Sequence, residues 1–436
     1  ATGSTLVVTV DCGIRSSAAA ERALAVGVDL IITDHHQPEP TLPPALAVLN
    51  PRRSDCRYPN KNLAGVGVVF KLIQALCEQT GHRHWLSAVL KLVALGTIAD
   101  VVPLQGENRV MARLGLDELA KGQNSAGLQA LIDSCRLTEK RIGSHDIGFV
   151  LAPRINAAGR MATPDIAVKL LLATGEGERD DAKVLAQTLE RENSRRRIEE
   201  DEVFQAAMQL IESNSEVRDG NILIVWGEKW HRGVIGIVAS KLRERFNRPT
   251  LVFSVEGGLA HGSARSVPGV QLLDAIEECG DLLEQFGGHS QAAGVVIRTA
   301  YLNTLRTRLA AVVDRELTAE QLSRSFEIDS KLRLSEITSS LMEELQSLEP
   351  FGRGNRQPIF HMESVEIVDG PYLIKGSHLR MTVGQDGHRF RAMAWRSASL
   401  ISDFRARRSG LELLVSLGTS SYRGETFIQL DIADIK

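Results

Sequence analysis

The N-terminal part of the chain contains the pattern that most restricts its fold, two apolar runs separated by one predicted helix. Leu6–Val10 is apolar and β-branched and predicts a buried strand that ends at Asp11. Residues 16–26 predict a helix, and Asp29–Thr33 predicts a second buried strand. Two buried strands joined through one helix form a βαβ unit, which requires a parallel sheet. Functional residues in such sheets collect at the carboxyl ends of strands, where Asp11 and Asp34 both lie.

Composition places the chain among ordinary globular proteins. Its 436 residues suggest two to four domains, and 43% hydrophobic and 24% charged residues are typical of a soluble protein. No apolar stretch reaches the ~20 residues of a membrane span, and the N-terminus has no signal-like segment, so we expect a cytoplasmic protein without a membrane partner. The net charge of -3 creates no global attraction for a polyanion, so nucleic acid would have to bind local basic patches.

The five cysteines are widely spaced and include no C-x-x-C pair. This spacing argues against a disulfide framework and against structural zinc, and it fits a reducing cytosol.

Four regions follow one another along the chain. The first α/β region covers residues 1–176, a charged helix over residues 177–215 connects it to the next, and a second, smaller α/β region covers residues 216–320. Residues 321–436 predict short strands separated by turns, which favours a small all-β barrel such as an OB-fold.

The sequence Asp34-His35-His36 directly follows the second strand. One carboxylate and two imidazoles offer oxygen and nitrogen ligands that suit manganese, zinc or iron, and magnesium with fewer nitrogens. Adjacent side chains on a strand point to opposite faces, so one of the three is expected to orient or protonate rather than bind an ion. The alternative is that these are polar residues at the start of a loop.

Asp11 and Asp100 strengthen the metal interpretation. Both follow apolar runs, and with Asp34 they would be three acids at the ends of buried strands. Such acids repel one another unless a cation binds, so a divalent metal is expected. Taken singly, Asp11 reads as a turn residue and Asp100 as a helix or turn cap.

Three further motifs carry groups suited to phosphate. The first contains Arg154, Asn156 and Arg160 among small residues, and an arginine donates a planar pair of hydrogen bonds to phosphate. The alternative is a capped helix end with solvated arginines. His231 lies at a glycine-bounded helix N-terminus, where free amides favour anions. Ser263, Arg265 and the glycine turn at residues 287–290, which contains His289, complete a predicted phosphate site.

Basic and aromatic residues are interleaved in the terminal barrel. This pattern suits a groove for single-stranded nucleic acid, although ordinary alternation of inward aromatics and outward arginines is the alternative. The basic residues are Lys375, Arg380, Arg389, Arg391, Arg396, Arg405, Arg407 and Arg408, and the aromatic residues are Tyr372, Phe390, Trp395 and Phe404.

Taken in order, these motifs resemble those of the RecJ single-stranded-DNA exonucleases of the DHH phosphoesterase superfamily. The resemblance spans nearly the whole chain and is carried by the segments around Asp11 and Asp34-His35-His36, Leu63-Ala64-Gly65-Val66-Gly67, and the segments at 96–104, 154–160, 233–240 and 286–294. It implies a DHH domain, a long connecting helix, a DHHA1 domain and a C-terminal OB-fold.

The resemblance also implies roles for individual residues. Asp11, His35 and Asp100 would be metal ligands, Asp34 would support the site, and His36 would lie near the scissile phosphate. Arg154, Asn156, Arg160, His231, Ser263, Arg265 and His289 would hold substrate phosphates across a cleft between two domains. The implied activity is 5′ to 3′ degradation of single-stranded DNA to mononucleotides in recombination and repair, with Mn²⁺ or Mg²⁺, and with a single-strand-binding protein or a helicase as a partner.

The family pattern places an Asp-x-Asp cluster upstream of Asp11, and this sequence starts ten residues before that aspartate. We therefore expect a fragment in which one metal position lacks ligands. Two alternatives stay open, a DHH phosphodiesterase acting on short oligonucleotides or cyclic dinucleotides, and a noncatalytic single-strand-binding replication scaffold. The barrel favours a longer polymer substrate over the first, and intact Asp34-His35-His36 and Asp100 argue against the second.

Overall fold

The first region is built on a short parallel sheet. The structure, a computed structural model, describes residues 3–289, 291–316, 325–422 and 425–435. Strands β1 (Leu6–Val10), β2 (Asp29–Thr33) and β3 (Ala47–Leu49) pair in parallel in the order β1-β2-β3, and helix α1 (Ser17–Ala25) connects the first two. The predicted βαβ unit is therefore confirmed, but the expectation that Leu6–Val10 is buried was wrong: β1 is an edge strand of this sheet, and Leu6, Val7, Val8 and Val10 are exposed. The register aligns Val10 with Thr33, so that Asp11 and Asp34 leave the sheet side by side.

Helices follow the sheet. They are α2 (Gly65–Thr80), α3 (Leu86–Ala99) and α4 (Gly106–Ala120). Asp100 is the C-cap of α3. The expectation of a third strand-end acid was therefore wrong for Asp100, because the apolar run before it is a buried helix. A short apolar run does not distinguish a buried strand from a buried helix by periodicity alone.

Further helical segments lead to the long connecting helix. They are α5 (Ala126–Ser134), α6 (Ser144–Asp146), a π-helical turn (Ile147–Leu151), α7 (Ala152–Met161), α8 (Asp165–Leu172), α9 (Arg179–Ser213) and α10 (Ser215–Asp219). The 35 residues of α9 match the predicted charged helix. Its buried face is formed by small and aliphatic residues such as Ala182, Leu189 and Ile211.

The second α/β region is built on a mixed sheet with the order β4-β5-β6-β8-β7. Its elements are β4 (Leu223–Glu228), α11 (Arg232–Phe246), β5 (Thr250–Glu256), β6 (Leu259–Arg265), α12 (Leu272–Glu277), β7 (Leu283–His289), β8 (Ala292–Arg298) and α13 (Leu302–Glu316). The sequence predicted a glycine turn at residues 287–290, but residues 287–289 end strand β7. Glycine can occupy a strand where another backbone approaches closely, and Ser290 lies outside the described residues.

The C-terminal region is a β-barrel, as predicted. Its elements are β9 (Ser330–Lys331), α14 (Ser339–Ser347), β10 (Phe360–Ile374), β11 (His378–Gln385), β12 (His388–Ala394), α15 (Ile401–Ala406), β13 (Leu411–Tyr422) and β14 (Glu425–Ile435). The sheet order β11-β12-β14-β13-β10 is closed by pairing of β10 with β11. The prediction of short strands was wrong for β10, which has 15 residues, because bulges bend it without ending it.

The chain forms two compact units. The first comprises residues 1–124, 139–152 and 326–436, and the second comprises residues 125–138 and 153–325. The boundary predicted at residue 320 lies outside the described residues, and the division at residues 176, 215 and 320 stays a prediction. Across the described ranges, no helix combines the length and apolarity needed to span a membrane.

Candidate metal and phosphate sites

Asp34 is the centre of a buried hydrogen-bond network at the end of β2. Its carboxylate accepts hydrogen bonds from the backbone amides of Ile14 (3.0 Å), His35 (2.7 Å) and His36 (3.1 Å), and from Nδ1 of His36 (2.7 Å). Burial opposes ionisation of Asp34, but these donors outweigh burial and lower its pKa. Asp34 is therefore an ionised acceptor that fixes the backbone amides of both histidines and the ring of His36, and its supporting role in a metal site stays a prediction.

His35 is the buried centre of the candidate metal site. Its Nδ1 lies 3.1 Å from the carbonyl oxygen of Leu63, and since a carbonyl only accepts, Nδ1 carries the proton. In that tautomer Nε2 presents a lone pair to Oδ1 of Asp11 at 3.2 Å and Oδ2 of Asp100 at 3.5 Å. Nε2 is buried and has no hydrogen-bond donor within reach among the described residues.

Three acceptors that face one another require a positive charge between them. Burial lowers the pKa of His35, but the contact with Asp11 and the charge of Asp100 outweigh burial, so that its pKa is raised on balance. Burial also raises the pKa of Asp100, with a further contribution from Asp11, while His35 opposes the shift. The site therefore favours a cation, which can be a proton on Nε2 or a metal ion.

The donor set fits a divalent metal ion. The ligand atoms of Asp11, His35 and His36 lie within 4.8 Å of one another, and Asp100 adds a second carboxylate to His35. Nδ1 of His36 is occupied by Asp34, so Nε2 is the nitrogen left for an ion or a phosphate. Mixed nitrogen and oxygen ligands of this kind suit Mn²⁺, and Mg²⁺ when fewer nitrogens bind.

Three residues of this site were missed by sequence reasoning. Leu63 contributes only its carbonyl, so its side chain gave no chemical signal, although its segment was one of those that carried the family resemblance. Asn50 donates from Nδ2 to the carbonyl of His36 at 2.8 Å and follows β3 directly, so the strand-end rule could have found it. Gly65 begins α2 beside Asp11, where an added Cβ would lie 2.0 Å from Asp11 Oδ1.

The predicted phosphate residues all lie in the second compact unit. Arg154, Asn156 and Arg160 lie on α7. Arg154 is buried, and its Nε donates to Glu190 on α9, so part of this guanidinium is already engaged. Arg160 is exposed and donates to the carbonyl of Gly233 at 3.0 Å. Asn156 is also exposed.

The first turn of α11 meets the same cluster. His231 caps this helix, and its Nδ1 accepts the amide proton of Gly233 at 3.0 Å, so Nε2 carries the ring proton and can donate to an anion. An added Cβ on Gly236 would lie 3.0 Å from both Ser263 Oγ and Arg265 Nη2, so α11 passes close to these two side chains at this position.

Arg265 is positioned by neutral acceptors rather than by acids. It donates to Ser240 Oγ (3.1 Å), Ser263 Oγ (2.9 Å) and the carbonyl of Ala264 (2.7 Å). Burial lowers its pKa, and the positive charges of Arg160 and Arg243 add to this effect. Within the part of the chain that the structure describes, neither Arg160 nor Arg265 pairs with a carboxylate, so the cluster carries positive charge suited to an anion.

Strand register places His289 on the same row as Arg265. Ala292 on β8 lies opposite both Arg265 on β6 and His289 on β7. Directly opposed residues in antiparallel strands project to one face, so these side chains border a shallow strip about 10 Å wide. Gly287 and Gly294 occupy the neighbouring row, and their lack of side chains keeps the strip open.

The barrel surface confirms only part of the predicted aromatic pattern. Phe404 is fully buried and Phe390 packs against the core, whereas Tyr372 and Trp395 are exposed. Arg391 lies 4.2 Å from the ring centroid of Phe427, a ring the prediction missed. Arg380 lies 5.5 Å from the ring of Tyr372, and both pairs border a hollow of about 440 Å³.

Comparison with protein-family models finds three matches along the chain. The DHH family N-terminal domain matches residues 3–97, the DHHA1 domain matches residues 219–315, and the RecJ OB domain matches residues 328–434. These matches follow the order that the sequence resemblance implied.

Several curated relatives carry the name single-stranded-DNA-specific exonuclease RecJ. The chain is 37% identical to the Bacillus subtilis protein over 404 residues, covering 91% of this chain and 50% of that protein. It is 37% identical to the Escherichia coli protein over 377 residues, covering 83% of this chain and 65% of that protein. It is 35% identical to the Dickeya dadantii protein over 455 residues, covering 99% of this chain and 77% of that protein. The chain thus spans about half to two thirds of the length of the first two relatives.

Solved structures agree with the sequence comparisons. The crystal structure of RecJ from Thermus thermophilus in complex with Mn²⁺ matches with a TM-score of 0.84 at 30% identity, covering 99% of this chain and 62% of that chain. The Mg²⁺ complex of the same protein matches with a TM-score of 0.78 at 27% identity, covering 99% and 61%. The chain therefore belongs to the RecJ family of single-stranded-DNA-specific exonucleases.

Proposed function

We propose that this protein is a metal-dependent 5′ to 3′ exonuclease that degrades single-stranded DNA to mononucleotides. The observation that carries the proposal is the buried Nε2 of His35, which faces the carboxylates of Asp11 and Asp100 at 3.2 and 3.5 Å. This arrangement needs a cation for its stability, and phosphodiester hydrolysis uses one for chemistry.

Asp11, His35 and Asp100 would hold the ion, which we propose to be Mn²⁺ or Mg²⁺. When bound, such an ion supplies positive charge for the phosphate oxygens and makes water a better nucleophile. Asp34 orients the His36 ring through Nδ1 and fixes the backbone amides of His35 and His36, while the carbonyl of Leu63 orients the His35 ring. His36, whose Nδ1–H donates to Asp34, would present the lone pair of Nε2 near the scissile phosphate, where it can accept a proton from water.

Residues of the second compact unit would bind the phosphates of the strand. Arg160 and Arg265 supply positive charge that no acid neutralises among the described residues, and Ser263, His231 and His289 supply donors. Arg154 and Asn156 extend this set along α7. Bidentate arginine contacts to phosphate position a strand without reading its sequence, as a general exonuclease requires.

The barrel surface would favour single strands. Arginines beside exposed rings can track a phosphate backbone while bases stack on the aromatic faces, and a paired duplex keeps its bases away from such rings. The pairs Arg391 with Phe427 and Arg380 with Tyr372 provide this combination.

We further propose that the protein works in the cytoplasm in recombination and repair, with a single-strand-binding protein or a helicase supplying its substrate. The five cysteines are free, which suits a reducing compartment. A nuclease that acts only on single strands depends on another activity to open or protect duplex DNA.

The test is a time course with Mn²⁺ and a 3′-labelled, 5′-phosphorylated single-stranded oligonucleotide, beside the matching duplex. We expect stepwise shortening of the single strand alone, and loss of at least ~100-fold in rate for His35→Ala and Asp100→Ala. His84→Ala, which changes an exposed histidine outside the site, is the matched control. Parental rates in both site variants would overturn the metal assignment, and binding without cleavage by the parent would identify a noncatalytic strand-binding protein.

A further inference from the structure

The turn that carries Asp100 has a backbone conformation that its own residues disfavour. Val101, the next residue, has φ of 58°, in the left-handed region that β-branched side chains rarely adopt. It is also exposed, so its side chain does not hold the turn in place. Such conformations persist only where the surrounding structure imposes them. The position of the Asp100 carboxylate must therefore depend on neighbouring segments.

Part of that support comes from a loop that precedes the barrel strand β10. The amide of Leu104 donates to the carbonyl of Arg353 at 2.7 Å, and Nε2 of Gln105 donates to the carbonyl of Gly354 at 2.9 Å. Gly354 has φ of 75°, and an added Cβ would lie 3.2 Å from Cβ of Pro103. The 100–105 turn and the 352–355 loop are thus in direct backbone contact.

Two arginines of α4 hold the other end of the same loop. Nη2 of Arg109 donates to the carbonyl of Leu348 at 2.9 Å, with longer contacts to the carbonyls on either side, and Nη1 of Arg113 donates to the carbonyl of Glu349 at 3.0 Å. These carbonyls are at the C-terminal end of α14, where cations are stabilising because the carbonyls lack helical partners.

The loop is also closed on itself. Nδ2 of Asn355 donates to the carbonyls of Leu348 and Pro350, both at 2.9 Å, and the backbones of Gly352 and Asn355 bond each other. The 349–355 segment is therefore a closed loop fixed at one end to α4 and at the other to the turn that follows Asp100.

We propose that the 349–355 segment is a positioning element for the metal site. It holds the 100–105 turn in the conformation that places Asp100 Oδ2 3.5 Å from Nε2 of His35. This inference rests on the proposed function, because it assumes that Asp100 is a metal ligand. The segment that leads into the barrel would then contribute to metal affinity without touching the ion or the DNA.

Gly354→Ala is the test, with Gly387→Ala as its matched control. Both glycines have positive φ, at 75° and 82°, so alanine strains the backbone equally in the two variants. An added Cβ on Gly354 meets Pro103 and Gln105, whereas nothing lies within 4 Å of one on Gly387. Free Mn²⁺ is measured by electron paramagnetic resonance during titration of each protein, together with hydrogen exchange of the Leu104 amide.

We expect Gly354→Ala to weaken Mn²⁺ binding by about 10-fold or more, as residues that support ligands commonly do, and to speed exchange at Leu104. Gly387→Ala should bind Mn²⁺ like the parent after a similar loss of thermal stability. If Gly354→Ala fails to fold, Arg109→Gln removes one fixed end without adding atoms and should weaken Mn²⁺ binding in the same direction.

The outcomes separate this inference from the proposed function. Parental Mn²⁺ affinity in both Gly354→Ala and Arg109→Gln, with the expected loss in Asp100→Ala, would refute the positioning role alone. A parent protein that binds no Mn²⁺ would refute the metal site. Unchanged hydrogen exchange at Leu104 in Gly354→Ala would then also refute the proposal that the 349–355 segment holds the 100–105 turn.

Discussion

Replacing Gly65 with alanine is expected to remove Asp11 from the metal site while leaving the protein folded. The added Cβ would lie 2.0 Å from Oδ1 of Asp11, 2.4 Å from its Cγ and 2.8 Å from its Cβ. Contacts between nonbonded heavy atoms settle near about 3.5 Å, so the carboxylate oxygen must move by about 1.5 Å.

This change should reduce activity strongly and the free energy of unfolding moderately. The Asp11 side chain is 55% exposed and can turn into water, and alanine suits the first turn of a helix at least as well as glycine does. Rotation of the side chain does not move the Asp11 Cβ, which would lie 2.8 Å from the added Cβ, so the backbone must also shift. We therefore expect the free energy of unfolding to fall by about 1–3 kcal/mol. A displacement of about 1 Å at a reacting site can cost on the order of 100-fold in rate, so activity should fall by at least that factor.

The assay compares Gly65→Ala with Gly67→Ala, a matched change two residues along the same helix. The Cβ added at Gly67 would lie 3.3 Å from Cε of Met111, the flexible end of a side chain that can shift by a few tenths of an ångström. Cleavage of labelled single-stranded DNA is measured across a Mn²⁺ titration, and stability is measured by thermal unfolding. Asp11→Asn serves as a reference, because asparagine tolerates the φ of 60° found at this position.

Gly65→Ala should match Asp11→Asn in its metal requirement, and Gly67→Ala should match the parent. Parental activity of Gly65→Ala at the parental Mn²⁺ concentration would refute the reasoning, because Asp11 could not then be needed where the structure places it. Equal losses in both alanine variants would point to general damage to α2 instead.

Three further changes test other parts of the molecule. Asp34→Asn should lower the free energy of unfolding by about 2–3 kcal/mol in chemical denaturation, because an amide cannot accept all four hydrogen bonds of the buried carboxylate; unchanged stability would contradict its anchoring role. Burial opposes ionisation of Glu107, but the hydrogen bonds from Lys71 and Tyr58 outweigh burial and lower its pKa. The ionised carboxylate therefore stabilises the fold above its unfolded pKa of about 4.3, and this stabilisation is lost as the pH falls through the lower pKa of the folded state. The parent should therefore unfold at a higher temperature than Glu107→Gln at pH 7 but not near pH 3, and a difference independent of pH would exclude the ionic contribution. Arg265→Met should weaken single-strand binding and reduce the slope of log affinity against log salt by about 0.7, and an unchanged slope would mean that Arg265 contacts no phosphate.

Local sequence patterns predicted much of the fold. The apolar, β-branched runs at Leu6–Val10 and Asp29–Thr33 are strands with those bounds, because β-branched side chains favour the extended backbone. The sequence was wrong about burial of Leu6–Val10, whose side chains are largely exposed. The charged 35-residue helix Arg179–Ser213 was also predicted, since its apolar residues recur at helical spacing.

Local sequence patterns gave the wrong secondary structure where the same short pattern is compatible with two kinds of element. The run before Asp100 is apolar enough for a strand but forms the end of a helix, and Gly287 and Gly288 suggested a turn but lie in a strand. In both places the outcome depends on what packs against the segment. An added Cβ on Gly288 would meet the backbone of Ala292 at 2.3 Å, and that contact comes from strand pairing rather than from local preference.

The sequence by itself determined which chemical groups this protein has and on which strands and helices many of them lie. Asp34-His35-His36 at a strand end already indicated a metal site, because the βαβ pattern brings strand ends to one edge of a sheet. Only the tertiary structure decided which of these groups meet. The contact of Leu63 with His35 joins residues 28 apart, and that of Gln105 with Gly354 joins residues 249 apart. Helical and strand periodicities describe neighbours a few residues away, so contacts between distant segments arise only when the chain packs its apolar faces together.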